Sequence, residues 1–261
     1  MDGAVNLYWP YSPEQFLGID MVMPLRDDDL YRHTVPVVTY ALIAANVLVW
    51  LLELSQGERF INGYSAIPFE ITHNTDLTGV HTITAGGQSF PLHLYPGPSP
   101  IYLTLLSSMF MHASWLHIGG NMLYLWIFGD NIEDRIGSAK FLVFYLICGL
   151  VASGTQIVFT ADSVIPSLGA SGAIAGVLGA YLVLFPRRNV KVLMARQIVN
   201  MPAFMVLGLW ILLQVFSQIS VAGAQSSGVA YLAHIGGFAA GVVLIFIFGG
   251  RRTPAPPVAT A

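Results

Sequence analysis

The chain has 261 residues, 55% of them hydrophobic and 10% charged, with a mean hydropathy of +0.66 and a net charge of −3. A soluble domain carries about 25% charged residues, so this composition cannot clothe a water-soluble globule and excludes that class. Cys148 is the one cysteine, which rules out an internal disulfide framework.

In chain order, residues 1–34 lack a basic stretch followed by an apolar one, so they do not read as a cleavable signal peptide. They are expected to form a cytoplasmic N-terminal segment. Apolar runs of membrane-spanning length then recur six times, at about 35–54, 115–129, 140–160, 168–185, 199–219 and 228–249. The second is the least apolar, carries His117 and Asn121, and is expected to reach upstream to Met111. The fold class expected is an all-α polytopic membrane protein, a bundle of six transmembrane helices over residues 35–249.

Charge sets the orientation. Arg26, Arg32, Arg135, Lys140, Arg187, Arg188, Lys191, Arg196, Arg251 and Arg252 all fall on one side if both termini are cytoplasmic, and Arg59 alone falls on the other. The first outer connection, about 55–108, is long enough to carry structure of its own. Residues 250–261 are Pro-rich and expected to be a disordered cytoplasmic tail.

Polar side chains are costly in hydrocarbon and mark candidate functional sites. His112, His117 and Asn121 lie in the outer part of the second span, Ser171 in the first turn of the fourth, and His234 about two turns into the sixth. His234 thus lies near 10 Å into its span, and because these three spans run in the same direction, all five residues fall at a similar depth, a little below the outer surface. His117 and Asn121 are four apart and share a helix face. Gly172 and Gly176 on the fourth span, and Gly237 and Gly241 on the sixth, form small-residue stripes that permit close backbone approach. That approach would bring His234 within hydrogen-bonding reach of Ser171.

The pattern predicts a serine nucleophile with His234 as its base. The Ser171 backbone N–H, at a helix start, would stabilise an oxyanion together with His117 and Asn121. Gly169 and Gly172 leave room for a substrate backbone beside Ser171. No acidic residue within a span is expected near this layer, so the pair reads as a dyad, with Asp162 in an outer loop the alternative third member. The loop histidines have no metal-ligand spacing, and neither metal nor cofactor is expected.

These residues resemble the rhomboid intramembrane serine proteases. The resemblance rests on HASWLHIGGN (His112, His117, Asn121), the EDR of the loop expected after the second span (Glu133, Arg135), GASG (Gly169 to Gly172) and AHIGGFAAG (Ala233 to Gly241), in order over about residues 36–249. It implies a Ser171–His234 dyad with His117 and Asn121 assisting the oxyanion. It further implies cleavage of single-span membrane proteins near the outer bilayer face, with small residues favoured at the cut. Partners would be transmembrane substrates and the lipid bilayer, without nucleic acid. Two features depart from the family pattern. Leu103 and Thr104 stand where many rhomboids have Trp-Arg, and Ala175 stands where many have an aromatic stacked on the base. The second departure predicts that His234 is held less tightly, or by another ring. A silent rhomboid-like client-binding protein is the alternative, and a transporter is disfavoured because the polar layer lies toward one face. The charge bias favours a prokaryotic cytoplasmic membrane.

Overall fold

The computed structural model of the chain describes residues 23–27, 34–85, 88–220 and 229–249. Most of residues 1–34 and the whole tail 250–261 lie outside the described residues, as do Arg32, Arg251 and Arg252.

A strand β1 (Met23–Asp27) precedes the first long helix, α1 (Val37–Gln56). Twenty residues at about 1.5 Å each span about 30 Å, the thickness of a bilayer core. The start of α1 is capped from a distance. Glu133 accepts the N–H groups of Val38 at 2.9 Å and Thr39 at 2.7 Å, together with the Thr39 hydroxyl at 2.8 Å. Its carboxylate thus satisfies donors that a helix N-terminus leaves open.

The connection expected on the outer side folds into short helices α2 (Glu58–Tyr64) and α3 (Pro68–His73), a hairpin β2 (Gly79–Ala85) and β3 (Gln88–Leu94), and α4 (Thr104–Ser107) between two 3₁₀ turns. Ile67, Leu92 and Leu94 give this region a small core of its own. It is tied to the segment that leads into the expected fourth span by reciprocal Ala66–Ser167 backbone bonds at 3.1 and 2.8 Å, and by Phe69 N–H to Ser163 C=O at 3.0 Å. The Ser107 hydroxyl adds a bond to the Tyr64 carbonyl at 2.6 Å. These contacts brace the long loop without the Trp-Arg pair.

Next come α5 (Trp115–Tyr124), a π turn (Leu125–Gly129) and α6 (Asp130–Ile136), which follow one another without a break. Glu133 and Arg135 therefore lie on a helix, and the loop expected there is corrected. The turn at Gly137, φ +84°, starts α7 (Ser138–Phe159) at once. The central α8 (Ser171–Leu184) has only 14 residues and is buried along most of its length, as a helix apolar all round must be. An antiparallel hairpin, β4 (Asn189–Met194) and β5 (Gln197–Pro202), leads into α9 (Ala203–Ser220), and α10 (Tyr231–Ile247) closes the fold.

β1 pairs with β4 to complete a three-stranded sheet in the order β1-β4-β5. The expected all-α class is thus corrected to a mostly helical fold with two small sheets. The expected fifth span also begins later than residue 199, because Val199 belongs to β5. Asp27 of β1 anchors the sheet to the bundle, accepting the Tyr181 hydroxyl at 2.6 Å and lying 3.7 Å from Arg188. Arg188 also donates to Asn131 and lies over the Phe185 ring.

Among the described residues three helices, α1, α7 and α9, are long and apolar enough to cross a membrane, while α8 and α10 are shorter apolar helices. Large side chains such as Leu48, Val158, Leu212 and Phe216 stay exposed along the long helices. Exposed apolar surface on this scale is what lipid covers. The chain is a membrane protein.

Candidate active site

The site is built where α8 begins. Gly169 has φ +135°, a conformation that L side chains rarely adopt. Its N–H is held by the Ser108 carbonyl at 2.8 Å. A Cβ at Gly169 would lie 3.0 Å from Nε2 and Cε1 of the His117 ring and 3.4 Å from Ser171 Oγ. Glycine here supplies both the turn and the space, and Ser171 follows as the first residue of α8. Its backbone N–H is among those a helix start leaves without an intrahelical acceptor.

The Ser171 hydroxyl lies 2.8 Å from His234 Nε2. On the other side of the ring, His234 Nδ1 lies 2.7 Å from Gln214 Oε1 on α9. An acceptor facing Nδ1 favours the tautomer with the ring proton there, donated to Oε1. Nε2 then offers a lone pair to the Ser171 O–H. Trp210, one turn earlier on α9, lies beside the same imidazole, with ring centroids 5.8 Å apart and planes at 38°. This is the other ring that Ala175 made necessary; Ala175 itself is buried in α8.

The opposite wall comes from α5. Ser114 caps the helix, its hydroxyl accepting the His117 N–H at 3.1 Å. His117 Nδ1 accepts the Ala113 N–H at 3.3 Å, so the neutral ring holds its proton on Nε2, the nitrogen packed against Gly169. Asn121, one turn on, is buried, and its Nδ2 has no hydrogen-bond partner among the described residues. The His117 Nε2–H thus lies on the side of Gly169 and Ser171, and the Asn121 amide nitrogen is left unpartnered among the described residues. His112 is fully buried beneath them. Its backbone N–H donates to both oxygens of Glu53, at 3.0 and 3.1 Å, and its ring meets His117 edge-on at 5.0 Å.

A cavity of about 20 Å³ borders Ser171, lined by Ser108, Ser153, Ser167 and small residues such as Gly149 and Ala152. That is space for roughly one water molecule among polar partners. Among the described residues no group of three or more His, Cys, Asp or Glu side chains is arranged to hold a metal ion.

α8 and α10 are set together backbone against backbone. A Cβ at Gly237 would lie 2.1 Å from the Gly172 carbonyl oxygen, and one at Gly241 1.9 Å from that of Gly176. Gly172 faces Ala152 of α7 as well, where a Cβ would lie 2.6 Å from the alanine methyl.

Sequence reasoning missed three residues here. Glu53 is an acidic residue near this layer within a span, contrary to expectation, but it binds the His112 backbone. Asp162 is exposed in the turn after α7, so the alternative of Asp162 as a third member gives way to Gln214 at Nδ1. An amide within an apolar run, a signal Gln214 shares with Gln218, was available, and Trp210 four residues before Gln214 shares its helix face.

Comparison with known proteins now bears on this arrangement. The rhomboid domain profile matches residues 100–251, more than half of the chain. The chain belongs to the rhomboid family. It is 32% identical over 154 residues to rhomboid protease GluP of Bacillus subtilis, covering 59% of this chain and 25% of that protein. It is 31% identical over 147 residues to the mitochondrial rhomboid protein 1 of Saccharomyces cerevisiae, covering 54% and 40%. Mouse presenilin-associated rhomboid-like protein, also mitochondrial, is 28% identical over 151 residues, covering 55% and 38%. The matched part spans less than half the length of each of these relatives.

Proposed function

We propose that this rhomboid is an intramembrane serine protease that hydrolyses peptide bonds of single-span membrane proteins, using Ser171 as nucleophile and His234 as general base. The observation that carries the reading is the 2.8 Å contact between Ser171 Oγ and His234 Nε2. It supports a hydroxyl poised to lose its proton as it attacks a carbonyl.

In this mechanism Ser171 Oγ attacks the scissile carbonyl carbon while its proton passes to His234 Nε2. Negative charge develops on the carbonyl oxygen, where the Ser171 N–H, His117 Nε2–H and Asn121 Nδ2–H converge to stabilise it. Collapse of the intermediate breaks the C–N bond, and His234 gives its proton to the departing amine. Water, activated by the same nitrogen, then attacks the acyl-serine ester and releases the enzyme. The cavity beside Ser171 is suited to admit that water.

The bundle crosses the membrane six times over residues 35–249 with both termini cytoplasmic. Arg26, Arg135, Lys140, Arg188 and Lys191 gather at the end of the bundle that carries the β1-β4-β5 sheet, which supports this orientation. α8, 14 residues and about 21 Å long, falls roughly 10 Å short of a bilayer core. Anchored at the inner end through Tyr181 and Asp27, it leaves Ser171 submerged below the outer face. The space around the nucleophile suits small substrate residues. A prokaryotic cytoplasmic membrane is the setting that the charge bias supports.

The test is cleavage of a single-span substrate with a small residue near its outer end, by purified wild type, Ser171→Ala and His234→Ala. Wild type is expected to cut, both variants to be silent, and a fluorophosphonate to label Ser171 alone. Cleavage by Ser171→Ala would remove the nucleophile assignment. An inert, unlabelled wild type would favour a client-binding protein.

A further inference from the structure

We infer that Gln214 is a positioning residue for His234, the third member of a Ser171–His234–Gln214 relay in which a neutral amide takes the place of a carboxylate. The inference rests on the protease reading for its catalytic consequence, and on geometry alone for its structural one.

α9 is the least buried of the three long apolar helices. Its buried residues, Ala203, Val206 and Leu207, all lie in its first two turns, at the sheet end. In its outer half the contacts with α10 that carry chemistry are made by Trp210 and Gln214, one turn apart on the same face. An amide in an apolar helix is costly unless it finds a partner on a neighbouring helix. Gln214 finds one at 2.7 Å, and that partner is His234 Nδ1.

The identity of the acceptor atom matters. Oε1 can only accept, so it admits the tautomer with the proton on Nδ1 and leaves Nε2 basic toward Ser171. The same Nδ1–H to Oε1 bond persists when Nε2 gains a proton, so it holds the ring in place throughout the reaction. Ala175 leaves the α8 side of His234 without a ring to stack on. Trp210 covers the imidazole from α9, and Gln214 fixes its rotation. The orienting groups have thus moved from the nucleophile's helix to its neighbour.

The test compares wild type with Gln214→Leu, Gln214→Asn and Gln214→Glu. The leucine removes the acceptor, the asparagine is one methylene too short to reach, and the glutamate restores an acceptor at the same length. On a single-span substrate, kcat is expected to fall roughly tenfold or more in the leucine and asparagine variants with KM within about twofold. The glutamate variant is expected to recover most of the loss. Nitrogen-15 NMR of His234 supplies a readout independent of turnover. Wild type should show the Nδ1–H tautomer, and Gln214→Leu a mixture. Unchanged kcat in Gln214→Leu, or a wild-type ring protonated on Nε2 alone, overturns the inference. If wild type neither cuts nor labels, the protease reading fails separately, and the tautomer comparison alone decides whether Gln214 orients the ring.

Discussion

The two flanks of α10 hold His234 in opposite ways. Toward α8 the contact is backbone on backbone, with no room for a single methyl at Gly237 or Gly241. Toward α9 it is made by long side chains, Trp210 and Gln214, across a looser gap. Packed backbones cannot adjust by rotamer, so the α8 flank sets the distance between Ser171 and His234. Rotatable side chains can adjust, so the α9 flank sets the orientation of the ring. A rhomboid can therefore exchange the residues that orient its histidine while the glycine seam stays as it is.

The largest effect is expected on the glycine flank. Gly241→Ala puts a methyl 1.9 Å from the Gly176 carbonyl oxygen, which belongs to backbone and cannot give way. A loss of about 3 kcal/mol or more is expected, with activity lost as the helices part. Gly208→Ala on α9 meets nothing within 4 Å and is expected to stay within about 1 kcal/mol of wild type. Thermal unfolding in detergent compares the two directly; equal losses would erase the difference between the flanks.

Asn121→Ala removes the unpartnered buried amide proposed as an oxyanion donor and leaves the seam intact. A fall in kcat of about 100-fold is expected with folding unchanged, the usual size for one oxyanion donor. Steady-state kinetics beside a melting curve measures both. Trp210→Ala loosens the α9 flank alone, and kcat should drop by about tenfold while KM and melting temperature barely move. A collapse in melting temperature would show that α9 is held more tightly than its burial indicates.

The smallest effect lies off α10, in the connection between α1 and α5. Burial raises the Glu70 carboxyl to about 7; the nearby Asp76 charge adds to this, and the bond from the Leu77 N–H opposes it. A raised carboxyl keeps its proton more tightly when folded, so its stabilisation is full below about 4.5 and is lost as pH rises through about 7. Glu70→Gln should flatten the fall in melting temperature across that window without changing kcat. An unchanged slope would locate the pH dependence elsewhere.

Much of the site is legible in the amino-acid sequence. Ser171, His234, His117 and Asn121 stand out as polar residues at one depth in apolar helices, and the glycine spacings point at the seam. The β4–β5 hairpin is not legible. Its turn residues, Ala195 and Arg196, have φ of +47° and +68°, a conformation usually signalled by Asn-Gly, so the turn signature is missing. The EDR stretch reads as a loop because its charges look like an interface. In the fold they continue a helix, where Glu133 caps α1.

Composition, the depth of polar residues along each span and helical spacing are local properties, and the order of residues alone carries them. They point to a membrane and to residues that could share a layer. What faces His234 Nδ1 depends on how α9 is rotated against α10, and that is established only when the helices pack. No spacing rule relates residue 214 to residue 234 across a loop. Periodicity assigns a residue to a face of its own helix, whereas the neighbour of that face is chosen by packing.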